Sequence, residues 1–137
     1  MLPRMNDTAE ALLKVEDLRM HFPVRGGVMM KQIGAVKAVD GVSFAIGAGE
    51  TLGLVGESGC GKSTLGKAVV RLLKPTGGKV SFKGQDITTA SQWRLRRLRQ
   101  DFQMVFQDPA ESLDARMSVG DLVAEPLVIQ RLGGRRS

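Results

Sequence analysis

The sequence predicts an α/β protein with an antiparallel β-sheet added on the N-terminal side of its core. Three observations predict this fold class. Several β-forming runs come first along the chain, a glycine-rich loop then joins an apolar run to an amphipathic helix, and a further strand and helices follow. The 137 residues are enough for one modest core and too few for two ordinary domains.

The first part of the chain holds the candidate strands of the antiparallel sheet. Leu12–Leu18 alternates well enough to be a strand, and Val36–Val39 and Val42–Ile46 look like further strands. Between them, Pro23–Gly34 is rich in glycine and proline near its start, which predicts a loop. Gly47–Glu50 predicts a turn that leads into the α/β core.

An apolar run and a helix flank the glycine-rich loop. Thr51–Val55 has the length and composition of a central parallel strand, and it ends at Gly56. Beyond Lys62, apolar residues recur with the spacing of one helix face, at Leu65, Ala68, Val69, Leu72 and Leu73. Pro75 and the two glycines that follow Thr76 predict the end of this helix.

The rest of the chain predicts shorter elements. Lys79–Phe82 is a candidate strand, followed by a turn at Gln85–Asp86. An amphipathic helix then leads to an apolar strand, Met104–Phe106, and Val119–Gln130 is weakly helical around Pro126. The apolar positions of the amphipathic helix are Trp93, Leu95, Leu98 and Phe102.

The glycine-rich loop, GESGCGKST at residues 56–64, satisfies the pattern G-x-x-x-x-G-K-[ST]. Its glycines permit positive φ and close approach of a ligand, so successive N–H groups can point into one concavity that suits a polyanion. Lys62 would bring a positive charge to the β- and γ-phosphates of a nucleotide, and the Ser63 hydroxyl would bind Mg²⁺. The candidate nucleotide-binding residues are Gly56, Glu57, Ser58, Gly59, Cys60, Gly61, Lys62, Ser63 and Thr64.

Charge and composition narrow the class of partner. The formal charge is +6 with a pI near 10.0, and four arginines (Arg94, Arg96, Arg97 and Arg99) lie close together. Such a patch suits nucleic acid or an anionic membrane surface, although a solvated helix face is the simpler interpretation. Aromatic residues make up only 4% of the chain and are not interleaved with the arginines, so we expect no nucleic-acid partner.

The expected compartment is the cytoplasm. No run approaches the length of an apolar membrane span, and the first residues lack the apolar segment of a secretory signal. The single cysteine, Cys60, cannot form an internal disulfide, which agrees with a reducing compartment.

The strand, the glycine-rich loop, the helix and the short strand are followed by QMVFQDP at residues 103–109. With this order of segments the chain resembles the nucleotide-binding subunit of an ATP-binding-cassette (ABC) transporter. The tract 103–127 is similar to the oligopeptide/dipeptide importer branch, where VFQDP is followed by Ser-Leu-Asn-Pro-Arg-Met and later by Glu-Pro-Leu. Asp114 and Ala115 stand here in place of the Asn and Pro. The segment HFPV at residues 21–24 also resembles this branch, and the resemblance covers residues 12 to about 132.

The resemblance implies a fold and its divisions. It implies the P-loop NTPase core of an ABC ATPase with an N-terminal antiparallel β subdomain, truncated before the signature motif. The implied divisions are an N-terminal tail at 1–11, the β subdomain and P-loop core at 12–109, and the start of a helical subdomain at 110–137.

The resemblance also implies site residues and cofactors, namely ATP and Mg²⁺. Phe22 matches the aromatic position that stacks on adenine, where tyrosine is more usual. The alternatives are that His21 shares this role and that Phe22 has a simple core role. Gln107 matches the glutamine whose amide touches Mg²⁺ or the attacking water. The expected catalytic residues are thus Lys62 and Gln107, and the expected metal ligands are Ser63 and Gln107.

Other catalytic parts of the family are not found in the chain. Residues 110–137 contain no LSGGQ-type signature and no apolar strand ending in Asp-Glu, and the only histidine, His21, precedes the loop. Since phosphoryl transfer needs several such parts at once, we expect a fragment of a longer subunit that binds nucleotide at best.

The implied function is to power peptide import. The expected partners are transmembrane permease subunits and a second ATP-binding subunit, in a homo- or heterodimer, on the inner face of the cell membrane. Three alternatives stay open: a nickel-type importer ATPase, a self-contained nucleotide-binding domain, and a basic nucleic-acid-binding module. The self-contained domain would need a second, Asp-bearing strand, which the sequence does not offer after any apolar run.

Overall fold

The computed structural model describes residues 11–26, 31–108 and 113–130. The chain divides into two compact units, Met1–Ala90 and Ser91–Ser137. The division that we expected after residue 109 stays a prediction. The elements in chain order are β1 (Leu13–Gly26), β2 (Lys31–Ile46), α1 (Lys62–Val69), β3 (Gly77–Phe82), β4 (Gln85–Asp86), α2 (Gln92–Leu98) and α3 (Val119–Ile129).

The first unit is built on a four-stranded antiparallel sheet with the strand order β2-β1-β3-β4. Helix α1 contacts both β1 and β2. The buried apolar side chains of this unit come from the sheet, from α1 and from the segment after β4: Val15, Leu18, Met20, Val39, Leu65, Ala68, Val80, Phe82 and Ile87. The antiparallel sheet that the sequence predicts before the glycine-rich loop is therefore present.

The loop predicted over Pro23–Gly34 is wrong at both of its ends, because β1 continues to Gly26 and β2 begins at Lys31. Residues 27–30 lie outside the described residues. The backbone N–H of His21 points away from β2 and donates to the Thr76 hydroxyl at 3.0 Å. Pro23, two residues later, faces the same edge, where none of the described strands pairs with it, so its missing N–H breaks no strand-pairing hydrogen bond there.

The two strands predicted at Thr51–Val55 and Met104–Phe106 are not formed. Val55 is 95% exposed and Val105 is 85% exposed. A parallel strand is stabilised only when neighbouring strands accept and donate its backbone hydrogen bonds. Within the described residues, the sheet is entirely antiparallel and includes neither run, so both remain irregular.

Helix α1 is shorter than the sequence pattern predicts, since Leu72 and Leu73 lie beyond its end at Val69. The reason is Arg71, whose φ of 56° is incompatible with a continuing right-handed helix. Its buried guanidinium donates from Nε to the Ile87 carbonyl at 2.9 Å. Two longer contacts, of 3.5 and 3.4 Å, join it to the carbonyls of Leu73 and Ala90.

The remaining predicted elements are largely confirmed. Predicted strand Lys79–Phe82 is part of β3, whereas Gln85–Asp86 is a short strand and the turn lies just before it. Helices α2 and α3 form as predicted, although Phe102 lies beyond the end of α2. Serine hydroxyls accept from backbone N–H groups at the N-caps of α2 and α3. Among the described helices, none combines the length and apolar character needed to cross a membrane.

Candidate functional site

The glycine-rich loop runs into α1, which begins at Lys62, and Gly61 is the N-cap residue of that helix. Gly59 and Gly61 have φ angles of 81° and 96°, in the left-handed region that favours glycine. A Cβ on Gly56 would lie 2.7 Å from the Sγ atom of Cys60, so the space beside this glycine is occupied by an exposed side chain of the same loop. The loop therefore curves back on itself as the motif predicts.

The ammonium group of Lys62 lies inside this curve. Its Nζ donates to the carbonyl oxygens of Gly56 at 2.7 Å and of Glu57 at 2.5 Å. It also lies 3.5 Å from the Cys60 Sγ atom. The positive charge is thus held at the loop by the backbone itself, and a phosphate oxygen that enters the loop can take over its hydrogen bonds.

Backbone donors at the start of α1 complete the anion site. The first i→i−4 hydrogen bond of the helix runs from Leu65 N to Gly61 O at 2.8 Å. The N–H groups that precede Leu65 in the first turn have no acceptor within the helix, and the helix dipole favours an anion at this end. No acidic side chain occupies the first turn.

The Ser63 side chain is exposed at the same end of the helix, which suits the Mg²⁺ role that the sequence predicts for it. The described residues contain no cluster of three or more acidic, histidine or cysteine side chains that could hold a metal by itself. A serine hydroxyl is a hard oxygen ligand of the kind that Mg²⁺ takes, and Mg²⁺ contact by Ser63 stays a prediction.

Two other predicted site residues are placed by the structure without a test of their roles. Phe22 pairs with Val36 in the β1–β2 hairpin and is 39% exposed, so it is not a buried core residue. Gln107 belongs to the second unit and is exposed at a bend after residues 104–106. Stacking by Phe22 and metal or water contact by Gln107 stay predictions.

The structure also shows a charged cluster that sequence reasoning missed. Asp40 Oδ1 is 2.8 Å from His21 Nε2, and Lys37 Nζ donates to Asp40 Oδ2 at 3.1 Å. The hydrogen bond from Lys37, followed by the one with His21, lowers the pKa of Asp40 below its ordinary value. Because His21 and Asp40 are 19 residues apart, only the strand register brings them together.

A glycine-rich loop whose backbone N–H groups and lysine ammonium lie together at the start of a helix is the phosphate-binding feature of the P-loop nucleotide-binding proteins. The chain matches the family described as "ABC transporter" over residues 39–131, and it belongs to that family.

Two relatives with assigned roles are ATP-binding proteins of transport systems. The chain is 52% identical over 118 residues to the oligopeptide transport ATP-binding protein AppF of Bacillus subtilis, covering 85% of this chain and 36% of the relative. It is 48% identical over 123 residues to the glutathione import ATP-binding protein GsiA of Escherichia coli, covering 90% of this chain and 20% of the relative. The chain thus spans about a third or less of the length of these relatives.

Solved structures confirm the predicted fold class. The dimeric ATP-binding cassette MJ0796, in a post-hydrolysis state with ADP and Pi, matches with a TM-score of 0.76 at 24% identity, over 91% of this chain and 50% of that chain. The cbiO1 component of a Clostridium perfringens ABC transporter complex matches with a TM-score of 0.65 at 30% identity, over 87% of this chain and 43% of that one. Both similarities rest on the cassette fold.

Proposed function

We propose that this chain is part of the ATP-binding subunit of a peptide importer, and that residues 56–64 hold the phosphates of Mg·ATP. The observation that carries the proposal is the position of the Lys62 ammonium inside the curve of its own loop. The 52% identity to an oligopeptide transport ATP-binding protein supports peptide as the cargo class. By itself the chain binds nucleotide without turnover.

Each predicted residue has a role in this proposal. Lys62 and the N–H groups at the start of α1 bind the β- and γ-phosphates, and Ser63 holds Mg²⁺. When bound there, Mg²⁺ would supply neutralisation of the phosphate charge, which otherwise repels an attacking nucleophile. Phe22 stacks on the base from the hairpin. Gln107 contacts Mg²⁺ or the attacking water in the whole subunit.

The proposed partners are permease subunits and a second ATP-binding subunit, on the cytoplasmic face of the membrane. Support for an assembly comes from the dimeric MJ0796 cassettes and from cbiO1, whose structure is described as part of a transporter complex. Within this chain, α3 exposes several apolar side chains and is our candidate for contact with the permease. These are Val119, Val123, Leu127, Val128 and Ile129.

Isothermal titration calorimetry of the 137-residue chain with Mg·ATP tests the site. We expect Lys62→Ala to weaken binding by about tenfold or more, because hydrogen bonds to charged groups contribute about 1.5–3 kcal/mol. Lys67→Ala is the matched control, since Lys67 lies in the last turn of the same helix. Equal affinities for the wild type and Lys62→Ala would contradict the proposal.

Hydrolysis gives a second readout in the same preparation. We expect no phosphate release above that of a sample without protein, because residues 110–137 contain neither an LSGGQ-type signature nor an apolar run ending in Asp-Glu. Robust release that disappears in Lys62→Ala would show that the chain has a complete catalytic site, and it would favour a self-contained nucleotide-binding domain.

A further inference from the structure

A β-bulge in β2 contacts the glycine-rich loop at residues 56–64, which is called the phosphate loop from here on. The register between β1 and β2 skips Ala38, which is therefore the extra residue of a bulge. A Cβ on Gly61 would lie 2.1 Å from the carbonyl oxygen of Ala38, far inside van der Waals contact. The bulge thus packs against the residue that immediately precedes Lys62, and it sets where the loop lies on the hairpin.

The Asp40 carboxylate holds this bulge from two sides. Its Oδ1 atom bonds to His21 on β1 at 2.8 Å. Its Oδ2 atom accepts from Lys37, the residue directly before the bulge, at 3.1 Å. One carboxylate therefore joins the two strands and spans the extra residue, so that it opposes a slip of register at this point.

Phe22 lies beside the same bulge. It follows His21 in β1 and pairs with Val36, which is two residues before Ala38, or about 7 Å along the strand. The loop proposed to hold the phosphates packs on Ala38, and the residue proposed to stack on the base pairs with Val36 of the same hairpin. A register change there would move one relative to the other.

We propose that Asp40 is a positioning residue for the nucleotide site: it holds the bulge that aligns Phe22 with the phosphate loop. The inference rests on the proposed nucleotide-binding function. Exposed ion pairs contribute little to stability, so the effect is expected in the geometry of binding more than in the free energy of unfolding. Asp40 itself touches no ligand in this proposal.

The test compares Mg·ATP with inorganic tripolyphosphate, which has the phosphates and lacks the base. We expect Asp40→Ala to weaken ATP binding about fivefold, corresponding to the loss of one ordinary hydrogen-bond contribution. The affinity for tripolyphosphate should change by less than about twofold, because the phosphate loop keeps its shape and separate sites influence each other only weakly. Asp40→Asn keeps an acceptor for Lys37 and should restore most of the ATP affinity.

Two variants provide controls on the same hairpin. Glu16→Gln removes a carboxylate on the paired strand β1, whose partner is Lys14 at 2.8 Å, and it should leave both affinities unchanged. Phe22→Ala should reproduce the selective loss for ATP. Circular dichroism establishes that each variant keeps its β content.

The outcomes separate this inference from the function on which it rests. A wild-type chain that binds neither ligand would overturn the proposed function and the inference together. A wild-type chain that binds ATP, with Asp40→Ala binding it equally well, would overturn the inference alone. Equal weakening of ATP and tripolyphosphate in Asp40→Ala would also overturn it, since that result describes general damage to the loop.

Discussion

The two compact units of this chain differ in how their elements are stabilised. In the first unit, strands and α1 bury a shared set of apolar side chains, and Leu18 is 0% exposed. In the second, α2 and α3 each have a serine N-cap, yet α3 buries none of its residues and Leu95 is the only buried apolar side chain among those described. Local capping is enough to specify where a helix begins, but burial supplies most of its stability.

This difference bears on the site. The phosphate loop belongs to the unit with the buried core, and its N-cap glycine packs against β2. Gln107 belongs to the unit that buries little. We therefore expect the phosphate loop to keep its geometry in this chain, whereas the position of Gln107 depends on contacts made in the whole protein.

The largest expected effect comes from removing core volume in one unit and not in the other. Leu18→Ala should cost about 2–5 kcal/mol, because a fully buried leucine leaves a cavity when it is truncated. Val123→Ala, at a side chain that is 71% exposed on α3, should cost less than about 0.5 kcal/mol. Urea unfolding followed by far-ultraviolet circular dichroism measures both. Similar losses in the two variants would show that α3 is buried after all.

The same glycine-to-alanine change should have opposite signs in the two units. Gly61→Ala forces a Cβ against the Ala38 carbonyl at a φ of 96°, so we expect a loss of about 1–3 kcal/mol and weaker Mg·ATP binding. Gly120→Ala lies in α3, where the nearest atom to a Cβ is 3.8 Å away, and it should stabilise the helix by about 0.5–1 kcal/mol. Thermal unfolding and calorimetry test the pair. A neutral Gly61→Ala would contradict the described packing of the loop on β2.

The smallest expected effect concerns the surface of the first unit. The pKa of Asp40 is lowered from 3.8, first by Lys37 and then by His21. A lowered folded-state pKa means that its stabilising contribution is present above pH 3.8 and is lost as the pH falls through the lower, folded-state value. Carboxyl NMR should give a midpoint for Asp40 below 3.8, and Lys37→Ala should raise it. A wild-type midpoint at or above 3.8 would mean that the cluster does not form in solution.

Several features of the site could be predicted from the sequence because they depend on neighbours in the chain. The spacing of glycines, lysine and serine in residues 56–64 predicts a curved phosphate loop, and the structure shows positive φ angles at Gly59 and Gly61. Helix α1 follows the apolar spacing beyond Lys62, and α3 forms within the stretch 119–130 that the sequence predicts to be weakly helical. By contrast, the end of α1 at Val69 depends on Arg71, whose guanidinium contacts a carbonyl 19 residues away that no local pattern contains.

The sequence by itself determined the phosphate loop, the antiparallel strands before it and the family to which the chain belongs. Tertiary structure alone decided three further matters: that Thr51–Val55 and Met104–Phe106 stay irregular, that the Ala38 bulge packs on Gly61, and that Asp40 joins His21 to Lys37. The physical reason is the same in each case. A local pattern states what a segment can form, while strand pairing and register depend on partners far along the chain.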